Sequence, residues 1–199
     1  MDDSNGFRVA DCERCPALVE SRSQIVNGVG PADASVLFVG EGPGATEDAE
    51  GEPFVGRSGE ILSEALLAAG IDRSAVRITN CVRCRPPENR DPTDDELDHC
   101  REHLYAEIDA IDPELIVTLG KVPSEHLLDR SVGVTNTAGS IETVRIAGAP
   151  RRVLVSVHPA ATLYDRSQRE PFFETIATAV SIVGIESDDS GGQRRLGEF

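Results

Sequence analysis

Apolar residues in this chain come in short runs separated by polar, glycine-bearing stretches, and two periods alternate along it. Ser35-Val-Leu-Phe-Val-Gly40 is almost continuously apolar and stopped by glycine, which predicts a strand buried on both faces. Residues 75–80 and 113–120 read the same way, and 140–157 read as a strand, a Gly-Ala-Pro turn and a second strand at 153–157. Between them the spacing is helical. Ile61, Leu62, Ala65, Leu66 and Ala69 fall on one face, and Gly70 ends that helix. Thr93 with Glu96 has the form of a capping box opening a helix to about Ile111. A short helix is expected near 124–129 and a last one over 171–183. Residues 40–56 hold five glycines and two prolines and predict a loop; Pro86, Pro87 and Pro92 predict another. Residues 1–33 are mostly polar and irregular, and 186–199 form a polar, glycine-rich tail expected to be disordered.

Strands alternating with helices imply an α/β fold, a three-layer α/β/α sandwich around a central, largely parallel four-stranded sheet, in one domain over 1–185. Ligands of such sheets bind beyond the carboxyl ends of the strands. That directs attention to the loops after Gly40, Asn80 and Val157.

Composition changes this picture in three ways. The 199 residues suit one domain with a ragged end. Thirty-five acidic against 19 basic residues give a net charge of −16, and every basic residue but Lys121 is arginine. An acidic surface almost without lysine suggests a protein kept hydrated in concentrated salt, a halophile's. It argues against non-specific nucleic-acid binding at low salt, while leaving room for a local basic face. No apolar run is long enough for a membrane helix and the N-terminus has no apolar signal core, so the expected location is cytoplasmic.

Cysteines stand at 12, 15, 81, 84 and 100, an odd number. Two CxxC pairs point to a metal site. Cys12, Cys15, Cys81 and Cys84 would make a four-thiolate zinc site; Cys12, Cys15, Cys84 and Cys100 would serve an iron–sulfur cluster. Spacing alone does not choose. Cys81 continues the strand of Val76 and Ile78, where it would pack as a small hydrophobe.

Three loop motifs follow the strands. The first is Glu41-Gly-Pro-Gly44 with Glu47-Asp48 and Gly51-Glu-Pro-Phe54-Val-Gly56-Arg-Ser-Gly59. The second is Asn80-Cys-Val-Arg-Cys84-Arg-Pro-Pro-Glu-Asn89-Arg, and the third Val157-His158-Pro159-Ala160-Ala161. The first lacks the spacing of a nucleotide-binding loop. In this order the three resemble the family 4, iron–sulfur uracil-DNA glycosylases, from about Cys12 to the helix near Ala179. The resemblance implies an α/β/α sandwich, a [4Fe-4S] cluster on Cys12, Cys15, Cys84 and Cys100, and no ligand role for Cys81. Ala45-Thr46, where relatives often carry more acid, and Lys121 depart from the family pattern.

The implied activity is hydrolysis of the N-glycosidic bond of uracil in single- or double-stranded DNA, leaving an abasic site. A flipped uracil needs a stacking face, a reader for its Watson–Crick edge and a donor for the leaving anion. Phe54, Asn80 and His158 have those chemistries. Glu41 matches the carboxylate that would favour the sugar cation and orient water, with Glu47 and Asp48 second. Asn89 would position Glu41 or water, and Gly42 and Pro43 would approach the base. Arg83, Arg85, Arg90, Arg166 and Arg169 are expected phosphate contacts. Relatives insert the loop matching 160–169 into the duplex, so Leu163 or Tyr164 would be the wedge. With Lys121 the only lysine, no Schiff-base lyase step is expected. The expected form is a monomer, with replication or repair proteins as potential partners. Rival readings are a glycosylase for another damaged base and a non-catalytic iron–sulfur or zinc module that binds nucleic acid.

Overall fold

The computed structural model describes residues 8–185; the expected disordered tail at 186–199 lies outside them. The strands are β1 (Val36–Gly40), β2 (Arg77–Asn80), β3 (Leu115–Leu119), β4 (Ile141–Ile146) and β5 (Ala149–Ser156). They form one sheet in the order β2-β1-β3-β5-β4. β1 lies parallel to β2 and β3, and β3 parallel to β5. β4 runs antiparallel to β5, so the expected four-stranded sheet has five strands. The 140–157 hairpin folds onto the sheet edge, and β4 alternates exposed and half-buried positions as an edge strand does.

Around the sheet lie α1 (Pro16–Ser21), α2 (Ala45–Glu50), α3 (Arg57–Ala68), α4 (Asp94–Ile111), α5 (Lys121–Leu128), α6 (Val134–Thr137), α7 (Ala161–Tyr164) and α8 (Arg169–Val183). Every residue of β1 and β3 is buried, so alternate side chains feed two cores. Val36, Phe38, Ile78 and Val117 pack with Leu62 and Leu66 of α3 and Phe172 and Ile176 of α8. Leu37, Val39, Ile116 and Val155 pack with Leu104 and Ile108 of α4 and Leu127 of α5. This is the expected α/β/α sandwich. A third, small cluster of Leu18, Val82, Cys84 and Cys100 docks α1.

α4 opens where its cap predicts. The Glu96 N–H donates to Thr93 Oγ1, and Glu96 Oε2 accepts the Thr93 N–H at 2.8 Å. The glycine-rich stretch after β1 is not loop throughout, because α2 lies inside it. Glu47 and Asp48 occupy the first turn of α2, where acidic side chains oppose the helix dipole, and Gly51 ends it in the left-handed conformation (φ 81°).

Candidate active site

The carboxyl ends of β1, β2 and β5 surround a cavity of about 170 Å³ lined by Gly42, Gly44, Glu47, Phe54, Ser58, Asn80 and His158. Phe54, Asn80 and His158, expected from three separate loops, therefore share one space. A larger groove of about 670 Å³ between α4 and α5 holds Lys121, Arg101 and His126 but none of those three. The smaller cavity is the stronger candidate because the motif residues of three loops converge on it; an unpaired buried polar atom belongs to one of them.

That atom is Asn80 Oδ1. Asn80 closes β2, is 2 % exposed, and its side-chain oxygen has no hydrogen-bond partner among the described residues. Leaving such a group dry and unpaired costs roughly 1–3 kcal/mol, which a ligand N–H would remove. Across the sheet Asn80 is in register with Gly40. A Cβ at Gly40 would lie 2.5 Å from two Phe54 ring carbons and closer still to Asn80 Oδ1. The missing side chain at the end of β1 is what lets ring and amide stand side by side. Phe54 is buried with a left-handed backbone (φ 55°), and a Cβ at Gly59 would collide with its carbonyl group. A non-glycine residue held at positive φ stores strain, as functional positions often do.

The rings of Phe54 and His158 are 6.0 Å apart, tilted by 32°. The Ala160 N–H donates to His158 Nδ1 at 3.1 Å, so the proton of a neutral imidazole sits on Nε2. Burial pushes the imidazole down to about 4, against an opposing pull from the Glu47 carboxylate. At neutral pH this is an uncharged N–H donor.

Glu47 and Asp48 fix the cavity wall. Glu47 Oε2 accepts the Gly44 N–H at 3.1 Å and Oε1 the Gly56 N–H at 2.9 Å, tying both ends of the loop together. Asp48 accepts the Ser23 N–H at 2.9 Å on each oxygen, and Gln24 Nε2 donates to the Asp48 carbonyl at 2.9 Å. The segment just after α1 is thereby strapped to α2.

Glu41, Pro43 and Asn89 do not line the cavity. Glu41 follows β1, half-buried, and burial followed by the charge of Asp91 raises its carboxyl to about 7. Asn89 is exposed, in a left-handed backbone (φ 54°), and its Oδ1 accepts from Arg85 Nε at 2.7 Å. The structure thus places Asn89 outside the cavity lining and paired with Arg85. Ser58, in the first turn of α3, lines the cavity and was not singled out by sequence; its only signal was a place in the Gly56–Gly59 motif.

The arginines divide. Arg83, an expected phosphate contact, is 1 % exposed and paired with Glu107 of α4 at 2.5 Å; it cannot reach a backbone outside the protein. Arg90 is held by both oxygens of Glu96 at 2.7 and 2.8 Å. Arg169 pairs with Glu64 at 2.5 Å and covers the Phe173 ring at 4.6 Å. Arg166 is exposed and Arg85 half-buried. Tyr164 is 88 % and Leu163 39 % exposed, beyond the His158 loop.

Cys12, Cys15, Cys84 and Cys100 line one narrow apolar pocket with Leu18, Val19 and His99. Arg22 Nη1 donates to Cys84 Sγ at 3.0 Å, and His99 Nδ1 is 3.5 Å from Cys15 Sγ. Cys81 is outside this pocket, fully buried among Leu37, Val39 and Leu104. That placement removes the zinc set that needed it. Among the described residues no three His, Cys, Asp or Glu side chains converge enough to hold one metal ion. Four cysteines around one apolar pocket form the donor set that an iron–sulfur cluster takes.

The family model described as the uracil DNA glycosylase superfamily matches residues 27–180 of this chain. A type-4 uracil-DNA glycosylase of Thermotoga maritima is 40 % identical over 182 residues, 90 % of this chain and 93 % of its own. One of Archaeoglobus fulgidus is 38 % identical over 168 residues, 82 % of this chain and 84 % of its own. A type-5 uracil-DNA glycosylase of Pyrobaculum aerophilum is 32 % identical over 184 residues, 77 % of this chain and 80 % of its own.

Proposed function

We propose, from the premise that this chain belongs to the uracil DNA glycosylase superfamily and within it to the type-4 family, that it removes uracil from DNA through the Phe54–Asn80–His158 cavity. It is a DNA-repair hydrolase acting on an N-glycosyl bond. The observation that carries the assignment of residues is the buried, unpartnered oxygen of Asn80, a residue that lines one cavity with Phe54 and His158.

A base turned out of the stack lays its face on Phe54. Asn80 Oδ1 accepts the uracil N3–H while Nδ2 donates to O4. Cytosine presents a donor where uracil has O4, so the amide faces a mismatched, dry edge. As the glycosidic bond breaks, negative charge gathers on the base. The His158 Nε2–H, its tautomer fixed by Ala160, is positioned to donate to O2 and stabilise that anion without itself ionising. Glu47 holds the loop, each oxygen accepting one backbone N–H, and its carboxylate lines the cavity with acceptor capacity to spare. Glu41 is the remaining carboxylate at the end of β1 and orients the attacking water in its charged form. Lys121, the only lysine, lies in the other groove, in keeping with a monofunctional enzyme that leaves the abasic site intact.

The chemistry and placement of the four thiols fit a [4Fe-4S] cluster on Cys12, Cys15, Cys84 and Cys100. When bound, the cluster supplies a cross-link between the N-terminal segment and residues 84–100. Arg85 and Arg166 are the basic groups best placed for phosphates, with Leu163 or Tyr164 as the wedge. Among the described residues no helix is long and apolar enough to cross a membrane; a cytoplasmic monomer that meets repair or replication proteins is the corresponding proposal. The charge of −16 and near-absence of lysine fit a halophile. The test is release of free uracil from a uracil-containing oligonucleotide, from low to molar salt, by wild type and Asn80→Ala. Loss of release in the variant supports the reading; equal release by both overturns the role of Asn80.

A further inference from the structure

The left-handed backbone of Phe54 is unfavourable for a phenylalanine, so its surroundings must hold it there. The angle concerned turns about the N–Cα bond of Phe54. Holding the planar peptide group that joins Pro53 to Phe54 therefore resists its change. Pro53 is buried, its own φ fixed by its ring, and its carbonyl accepts Arg73 Nη2 at 2.5 Å. On the far side of Phe54, its carbonyl occupies the space where a Cβ at Gly59 would stand. Gly59 is held in turn, because its carbonyl accepts from Ser63 Oγ at 2.9 Å, and Ser63 Oγ lies 3.5 Å from Arg73 Nη1. One guanidinium, from a residue 20 positions along the chain from Pro53, thus reaches both sides of the Phe54 turn.

Arg73 is itself fixed. It opens a short turn of 3-10 helix, Arg73–Ala75, ahead of β2, where Asp72 Oδ1 accepts the Ser74 N–H at 2.8 Å and the Ser74 hydroxyl at 2.6 Å. The side chain is half-buried and forms no ion pair among the described residues, although the chain has 35 acidic residues. Burial weighs on its charge more than the Glu52 and Glu47 carboxylates support it. A guanidinium binds most strongly to a carboxylate, yet this one gives its donors to a main-chain carbonyl and a hydroxyl. Arg73 does not line the base cavity, so it acts there only through what it holds. We infer that Arg73 is a positioning residue for uracil removal: by clamping the Pro53 carbonyl it keeps the Phe54 ring in the wall of the base cavity. The inference rests on the reading of that cavity as the uracil site.

The experiment is a double-mutant cycle on the full chain, with wild type, Arg73→Met, Phe54→Ala and the double variant. Each is checked for fold by circular dichroism and assayed for kcat/KM of uracil release from a single-stranded oligonucleotide. Arg73→Met keeps the reach of the side chain and removes its donors. It is expected to lose about 10–100-fold, and no more than Phe54→Ala loses. The double variant is expected to fall to the level of Phe54→Ala and no further, because a clamp on the ring has nothing to place once the ring is gone. Arg73→Lys, which keeps one charged donor, recovers part of the loss. A brace of general stability, or a contact with DNA, costs the same with or without the ring. Losses that multiply in the double variant therefore overturn the inference, as does wild-type activity in Arg73→Met. If Arg73→Met does not purify folded, Arg73→Gln, shorter and neutral, takes its place in the cycle. Wild-type release by Phe54→Ala overturns the stacking role of the cavity itself, a separate result read before the cycle is closed.

Discussion

Gly40→Ala isolates the geometry of the base cavity from the stability of the fold. Gly40 has no positive φ, so alanine brings no backbone strain at the end of β1. The whole perturbation is the added methyl. It would sit 2.5 Å from Phe54 ring carbons and closer to Asn80 Oδ1, where an ordinary carbon contact is about 3.5–4.0 Å. Ring and amide must therefore each give way by about 1 Å. A misplacement of about 1 Å costs roughly 100-fold in rate, close to 2.7 kcal/mol of transition-state stabilisation. The expected outcome is a fall of about 100-fold in kcat/KM for uracil release from a single-stranded oligonucleotide. Circular dichroism and iron content should stay at wild-type values. Gly133→Ala, where the nearest atom is 3.8 Å from the new Cβ, is the control. Activity of Gly40→Ala within twofold of wild type, with the fold intact, would show that the juxtaposition of ring and amide is not what the reaction uses.

Other outcomes follow from the same geometry. His158→Leu removes the Nε2–H donor and should lower kcat by about 10²–10³ while leaving KM little changed; a raised KM with kcat unchanged would mean that His158 serves binding only. Glu41, held up to about 7 by burial and Asp91, is protonated below that pH and charged above it. A need for its charged form makes kcat rise about tenfold per pH unit up to about 7 and then level off. Glu41→Gln should flatten the profile at a low rate, and a surviving limb near 7 assigns it to another group. His158, near 4, adds no limb above pH 6. Cys81→Ala should keep wild-type iron content and Cys84→Ala should lose it, since only Cys84 lines the thiol pocket; iron loss in Cys81→Ala would bring the core cysteine back into the ligand question.

What sequence revealed and what it hid have physical causes. The start of α4 was legible because Thr93 and Glu96 satisfy each other locally, three residues apart. Cys81, one residue past the end of β2, was legible because the strand's alternation carried on by one residue turns it into the core. Arg83 was not: in the chain it belongs to a run of arginines that reads as surface charge, and its burial depends on Glu107, 24 residues away. α2 was masked by glycines at 44 and 51 that bound the helix rather than prevent it. The holding roles of Glu47 and Asp48 were hidden because their partners are backbone N–H groups, which carry no residue-specific signature.

Asn80 and Cys84 lie four residues apart on one stretch, the first closing β2 and the second facing the thiol pocket, with Arg83 locked beneath. The thiol pocket and the cavity of Phe54, Asn80 and His158 are therefore not interchangeable modules. A chimera that replaced the thiol site alone would re-register the amide, and lineages losing the cysteines would have to rebuild the β2 exit at the same time. The workable unit of exchange, in a laboratory graft or in descent, is the whole segment 77–84 together with its counterpart on α4.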